Sequence, residues 1–230
     1  MEPVGRRSFL QGLVLLLGQA ATGAAQDAEA RYAVAYLSVA AARVSAMADA
    51  FRRYRAAAGQ ESGFVQTEMV EQIGRPGHFI IVEQWKDQAT FDAHQSAAST
   101  VQFRSTFQAI RTSGYDQRPY QALTAGHTRG ARGRDAVYVV AHVDIGGGGT
   151  TDVPGLLRRL ADTSRGEPGC LRFEVLQHAV RANHFTVIEV WENQRALEQH
   201  AAAAHTKQYR DDVQPLTGSP LDERLHKSIE

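Results

Sequence analysis

His78-Phe79-Ile80-Ile81-Val82-Glu83-Gln84-Trp85 and His184-Phe185-Thr186-Val187-Ile188-Glu189-Val190-Trp191 read as one β-strand written twice, 106 residues apart. Both runs are rich in aromatic and β-branched residues, and both end on tryptophan. Because side chains alternate along a strand, Phe79, Ile81, Glu83 and Trp85 share one face, as do Phe185, Val187, Glu189 and Trp191. The same offset, with no gap, lays Tyr32 on Tyr138, Arg52-Arg53 on Arg158-Arg159, Gly63 on Gly169, His94 on His200 and Arg104 on Arg210. Asp116 and Arg118 fall on Asp222 and Arg224. Residues 30–124 and 136–230 share 25 identities in 95 positions, so the chain holds two copies of one domain. Residues 125–135, with glycines and arginines and no apolar period, form the linker.

Each copy reads strand, helix, strand, strand, helices, strand. Tyr32 to Val39 and Tyr138 to Ile145 form the first strands. Ser45 is the expected cap of one helix, and Asp152 of its counterpart, where Pro154 sits in the first turn and loses no hydrogen bond. The second strands, from Phe64 and Cys170, are entered through Gly63 and Gly169, and helical segments follow from Gln88 and Gln194. A unit of this size carries helices on one sheet face only, so the other face must be covered, and the second copy can cover it.

Lys+Arg 25 against Asp+Glu 25 gives zero formal charge, which leaves no global field to gather nucleic acid or an anionic membrane. The single cysteine, Cys170, excludes an internal disulfide and a cysteine-built metal cluster. Residues 1–25 carry Arg6-Arg7, an apolar run from Leu13 to Leu17 and small residues before Gln26. This is the pattern of a twin-arginine export signal, too short to span a bilayer, and predicts a periplasmic or otherwise exported chain with no stable membrane insertion after processing.

The stretch Glu167-Pro168-Gly169-Cys170-Leu171-Arg172-Phe173-Glu174, with Phe185 to Asn193, Ala196 to His200 and Ser219-Pro220-Leu221, resembles the antibiotic biosynthesis monooxygenase family. The first copy matches more loosely, through Glu61 to Phe64, Phe79 to Trp85 and Phe91 to His94. The resemblance implies α+β, ferredoxin-like domains whose antiparallel sheets pair as a dimeric barrel, here closed within one chain as a pseudo-dimer that is free to associate further. It also implies cofactor-free oxygenation of a small aromatic or quinol-type compound, with molecular oxygen as co-substrate. Trp191 is then expected to stack on the ring, His200 to take the phenolic proton and Arg210 to steady the anion, with Glu189 beside them. Trp85, His94, Phe185 and Arg104 are the expected substrate contacts.

Other readings stand beside this one. Glu83 and Glu189, among apolar neighbours, need a partner, and Arg172 or Arg210 could pair with them. Ala97, Thr100, Arg104 and Gln108 recur as Ala203, Thr206, Arg210 and Gln214 and are expected along one helix face. His200 and His205 are five apart and cannot share a helix face, so no metal site is expected. The glycines at 146–149 lack a phosphate-loop lysine. A non-catalytic ligand-binding protein and a haem protein ligated by His142 or His200 are the alternative functions.

Overall fold

The computed structural model describes residues 30–126, 133–146 and 151–229. The export-type segment, most of the linker and most of the glycine run lie outside the described residues. The first repeat is β1 (Arg31–Ser38), α1 (Val44–Ala58), β2 (Phe64–Gln72), β3 (His78–Trp85), α2 (Gln88–Ser96), α3 (Ala98–Ile110) and β4 (Asp116–Thr124). The second is β5 (Val137–Asp144), α4 (Val153–Ser164), β6 (Cys170–His178), β7 (His184–Trp191), α5 (Gln194–Ala202), α6 (Ala204–Val213) and β8 (Asp222–Ser228).

The eight strands close into one antiparallel barrel in the order β1-β3-β2-β8-β5-β7-β6-β4. Two seams join the repeats, β2 with β8 and β4 with β6, so each sheet supplies the edge that the other lacks. This is the α+β, two-repeat pseudo-dimer that the sequence implied. The alternation read from β3 and β7 holds. Phe79, Ile81 and Trp85 face their helices and Ile80 and Val82 face the barrel interior, with Phe185, Val187 and Trp191 against Ile188 and Val190 repeating the division. Each such buried apolar side chain contributes roughly 1.5–3 kcal/mol.

One polar cluster crosses the interior. Arg172 of β6 donates to Glu68 of β2 and to Glu174, and all three are buried. Glu68 sits opposite Val82 and Glu174 opposite Ile188, equivalent places in the two repeats, and one arginine serves both. Its own counterpart in the first repeat is Gln66. Arg172 therefore does not pair with Glu83 or Glu189, contrary to one expectation.

Two local expectations are corrected. Ser45 lies inside α1, which begins at Val44 after a 3-10 turn and has no side-chain cap. Asp152 does cap α4, accepting from Gly155 N at 2.9 Å. The polar stripe keeps one helix face for Thr100, Arg104 and Gln108 on α3 and for Thr206 and Arg210 on α6, but Ala97 and Ala203 are extended caps (ψ 144° and 147°) that break each helical segment in two, and Gln214 caps the end of α6. No helix among the described residues is long and apolar enough to cross a membrane.

Candidate functional site

Both repeats build the same frame between sheet and helices. The last turn of strand β3 or β7 presents Glu and Trp, and the helix that follows drops a histidine on the indole. Trp85 and His94 stack at 4.2 Å between centroids, Trp191 and His200 at 4.6 Å. Each imidazole Nδ1 is held by a glutamate, Glu61 at 2.9 Å and Glu167 at 2.7 Å. Those glutamates are fixed by the tight turns at Gly63 and Gly169, whose φ of +78° and +80° disfavours any residue with a Cβ. A Cβ there would also meet Thr90 at 2.4 Å or Ala196 at 2.6 Å.

Inside that frame the repeats diverge. In the first, the Tyr54 hydroxyl donates to Glu83 and lies 2.7 Å from His94 Nε2, while Gln117 donates to the other Glu83 oxygen at 3.2 Å. Tyr54 also stacks on Phe103 at 4.5 Å, so its ring fills the space beside the carboxylate. In the second repeat Leu160, Leu221 and Glu223 replace Tyr54, Tyr115 and Gln117. A cavity of about 20 Å³ opens there, lined by Leu160, Glu189, His200, Thr206, Tyr209 and Arg210 among others. That is room for one water or one O₂. Glu189, freed from a tyrosine, accepts instead from Trp191 Nε1 at 2.7 Å.

The electrostatics diverge with the packing. Burial pushes the Glu189 carboxyl up to about 7, against the hydrogen bond from Trp191 and the charge of Arg210. Burial also holds His200 below the ordinary imidazole value, with Glu167 opposing. Burial acts on His94 in the same sense, but hydrogen bonds and charge from Glu83 and Glu61 reverse it, and His94 ends above its ordinary value. The first repeat thus favours the charged form of an imidazole held between two glutamates, and the second pairs an imidazole disposed to be neutral with a titrating acid.

The structure thus brings Glu189, Trp191 and His200 together, with Arg210 at the rim, half-exposed and paired to Glu223 at 3.0 Å. Neither indole offers a face to a substrate ring, since Trp85 and Trp191 are fully buried and a histidine covers each. His94 is likewise fully buried. Phe185 packs in the core six residues before Trp191 on β7 and edges a different cavity. Arg104 is spent on Gln95 and Gln117.

Glu167, His200 and His205 bring donor atoms within 4.8 Å of one another, the set that could hold a cation. Their five-residue spacing fails as an argument because the break at Ala203 moves His205 onto α6; here Glu167 accepts from both imidazoles, at 2.7 and 3.0 Å. The different cavity, about 970 Å³, lies at the barrel end where β3 and β7 begin, and residues of both repeats line it.

With this geometry in hand, comparison with known proteins gives the class. The family model for antibiotic biosynthesis monooxygenases matches residues 30–106 and again 136–212, more than half the chain. The chain belongs to that family, as two copies in tandem. Among solved structures it resembles a candidate monooxygenase from Fusobacterium nucleatum subsp. nucleatum (TM-score 0.81, 15% identity, 88% of this chain and 94% of that one). A candidate monooxygenase from Lactobacillus acidophilus NCFM gives a TM-score of 0.75 at 15% identity, over 87% of this chain and 94% of the other. At these identities the likeness is one of fold. A curated relative, the uncharacterized protein sll1783 of Synechocystis sp., is 23% identical over 96 residues, 42% of this chain. The chain spans 65% of that relative's length.

Proposed function

We propose that the chain is an exported oxygenase that uses molecular oxygen, without metal or flavin, to oxidise a small aromatic, quinol-type compound in its second repeat. The observation that carries this reading is the Glu189 carboxylate, buried, titrating near neutrality and facing a cavity where the first repeat has a tyrosine ring. A quinol hydroxyl at the rim gives its proton to Glu189, with His200 Nε2 as the next group in the site, 3.8 Å from that carboxylate and outside direct hydrogen-bond reach. Arg210 steadies the oxyanion left on the ring. The electron-rich ring carbon then bonds to O₂. One oxygen atom stays on the ring as a hydroxyquinone, the other leaves as water with two substrate hydrogens, and the substrate supplies all the electrons.

Trp191 acts on this reading by holding Glu189 through Nε1 rather than by stacking. The cavity of about 20 Å³ admits a hydroxyl edge or O₂, so the ring itself enters only as half-buried Leu221 swings outward. Export rests on Arg6-Arg7 and the apolar run behind them, and predicts a mature chain starting at Gln26.

The test is oxygen uptake by the chain from residue 26 with quinols, catechols and polyphenols, in the presence of a chelator. Enzyme-dependent uptake that disappears in Glu189→Gln with His200→Ala is expected. Silence across the panel, or unchanged rates in the double variant, overturns the reading.

A further inference from the structure

The two walls of the barrel-end cavity are chemically different at equivalent positions. Tyr36, Arg118 and Tyr120 come from β1 and β4, and His142, Arg224 and His226 from β5 and β8. Asp116 takes Nε and Nη2 of Arg118 at 3.0 and 2.6 Å, and Asp222 takes the same edge of Arg224 at 2.8 and 2.7 Å. Each guanidinium keeps Nη1 without a protein acceptor among the described residues. The third lining carboxylate, Asp144, is paired with His184 at 2.5 Å, while Arg181 adds another cation.

The same walls carry flat surfaces. The Arg118 guanidinium lies 4.6 Å over the Tyr36 ring, Tyr36 is 5.4 Å from His142, and Tyr120 is 5.2 Å from His178. Burial, aided by Arg118, lowers His142, and burial, aided by the Arg224 charge, takes His226 down to about 4. Those two imidazoles are therefore neutral at pH 7, the carboxylates are occupied, and Arg118 and Arg224 keep a charged donor edge for a ligand. Cavities of roughly 300–1,000 Å³ in the mouths of β-barrels are where small molecules bind, and a guanidinium edge matches a carboxylate.

We propose that this barrel end is a second ligand site, assembled by both repeats, for a flat organic anion of the aromatic carboxylate class. It is separate from the pocket beside Glu189 and does not depend on the oxygenase reading. A tandem chain can build it with tyrosines on one wall and histidines on the other, whereas two identical subunits would have to repeat one wall. The ligand's charged end meets Arg118 or Arg224, and its ring lies against the aromatic side chains between them.

Calorimetric titration with naphthalene-2-carboxylate and with the neutral 2-naphthylmethanol tests this. The carboxylate is expected to bind at least tenfold more tightly, and raising the ionic strength to weaken it but not the alcohol. Arg118→Gln with Arg224→Gln should bring the two probes level, with circular dichroism and melting to establish that the variant is folded. Leu160→Tyr, which closes the helix-side pocket, should leave carboxylate binding unchanged, so the two sites can fail independently. Equal affinity of the two probes for the wild type, no binding of either, or a preference that survives in the folded double variant would overturn the proposal. The wild-type salt dependence decides the matter even if that variant does not fold.

Discussion

The two repeats share a Trp-His stack, a glutamate clamp on the imidazole and a glutamate on the neighbouring strand, yet only one has space beside that glutamate. The difference comes down to position 54 against position 160. A tyrosine there captures Glu83, bridges it to His94 and fills the volume with its ring. A leucine leaves Glu189 to find the indole N–H of Trp191 and leaves a cavity beside it. The first repeat has become a hydrogen-bonded support and the second has kept a titratable acid, a division that a homodimer of identical subunits could not make.

The largest expected effect concerns the arginine that has no counterpart. Arg172→Met removes the buried guanidinium that donates to both Glu68 and Glu174, which costs about 3–5 kcal/mol. For a chain of this size that lowers the melting temperature by on the order of 10 °C, measurable by calorimetry. An unchanged melting temperature would mean that the barrel does not depend on this cross-repeat cluster.

Next comes pH. Glu189 binds its proton up to about pH 7 when folded, against 4.5 as its ordinary value. Between those values the folded state holds more protons, so stability falls as pH rises, by up to roughly 3 kcal/mol, and levels off above 7. Glu189→Gln should lack that slope, so the difference in stability between wild type and variant should fall as pH rises through this window. Oxygen uptake should run the other way, rising through about pH 7 as the base becomes available. A variant that keeps the wild-type slope would show that the proton belongs elsewhere.

The comparison can also be broken by copying one repeat onto the other. Leu160→Tyr should reproduce the Tyr54 arrangement, giving Glu189 a hydroxyl partner and closing the cavity. Oxidation is expected to fall about a hundredfold, equivalent to roughly 2.7 kcal/mol, with the fold intact. Wild-type uptake in Leu160→Tyr would exclude this pocket as the site.

Much of this was legible in the sequence. The 106-residue offset gave the pseudo-dimer, and the alternation in β3 and β7 put Glu and Trp on the helix side with their histidines. What stayed hidden was relational. Tyr54 and Leu160 both read as helix core, and only packing reveals that one hydroxyl decides where Glu83 points. Ala97 and Ala203 are strong helix formers, so nothing in local propensity marks the breaks that carry His205 to Glu167. The barrel-end cavity is assembled from alternate residues of several strands in two repeats, and a linear reading sees only that one sheet face needs a cover.

The smallest effect isolates one hydrogen bond. Trp191 Nε1 donates to Glu189, whereas Trp85 Nε1 is buried with no partner among the described residues, because Glu83 has turned to Tyr54 and Gln117. Replacing either indole by phenylalanine removes similar volume, so the packing losses should nearly cancel between Trp85→Phe and Trp191→Phe. The remaining difference is the donor. Trp191→Phe should cost about 1 kcal/mol more, the ordinary net worth of a hydrogen bond, while Trp85→Phe is relieved of an orphan N–H. The Trp191 bond favours the carboxylate form, so its loss should also move the midpoint of the uptake profile to higher pH, and Trp85→Phe should leave that midpoint where it was. Equal losses of stability with no shift in either midpoint would mean that the two tryptophans do the same job, and the division between the repeats would then lie outside this pair.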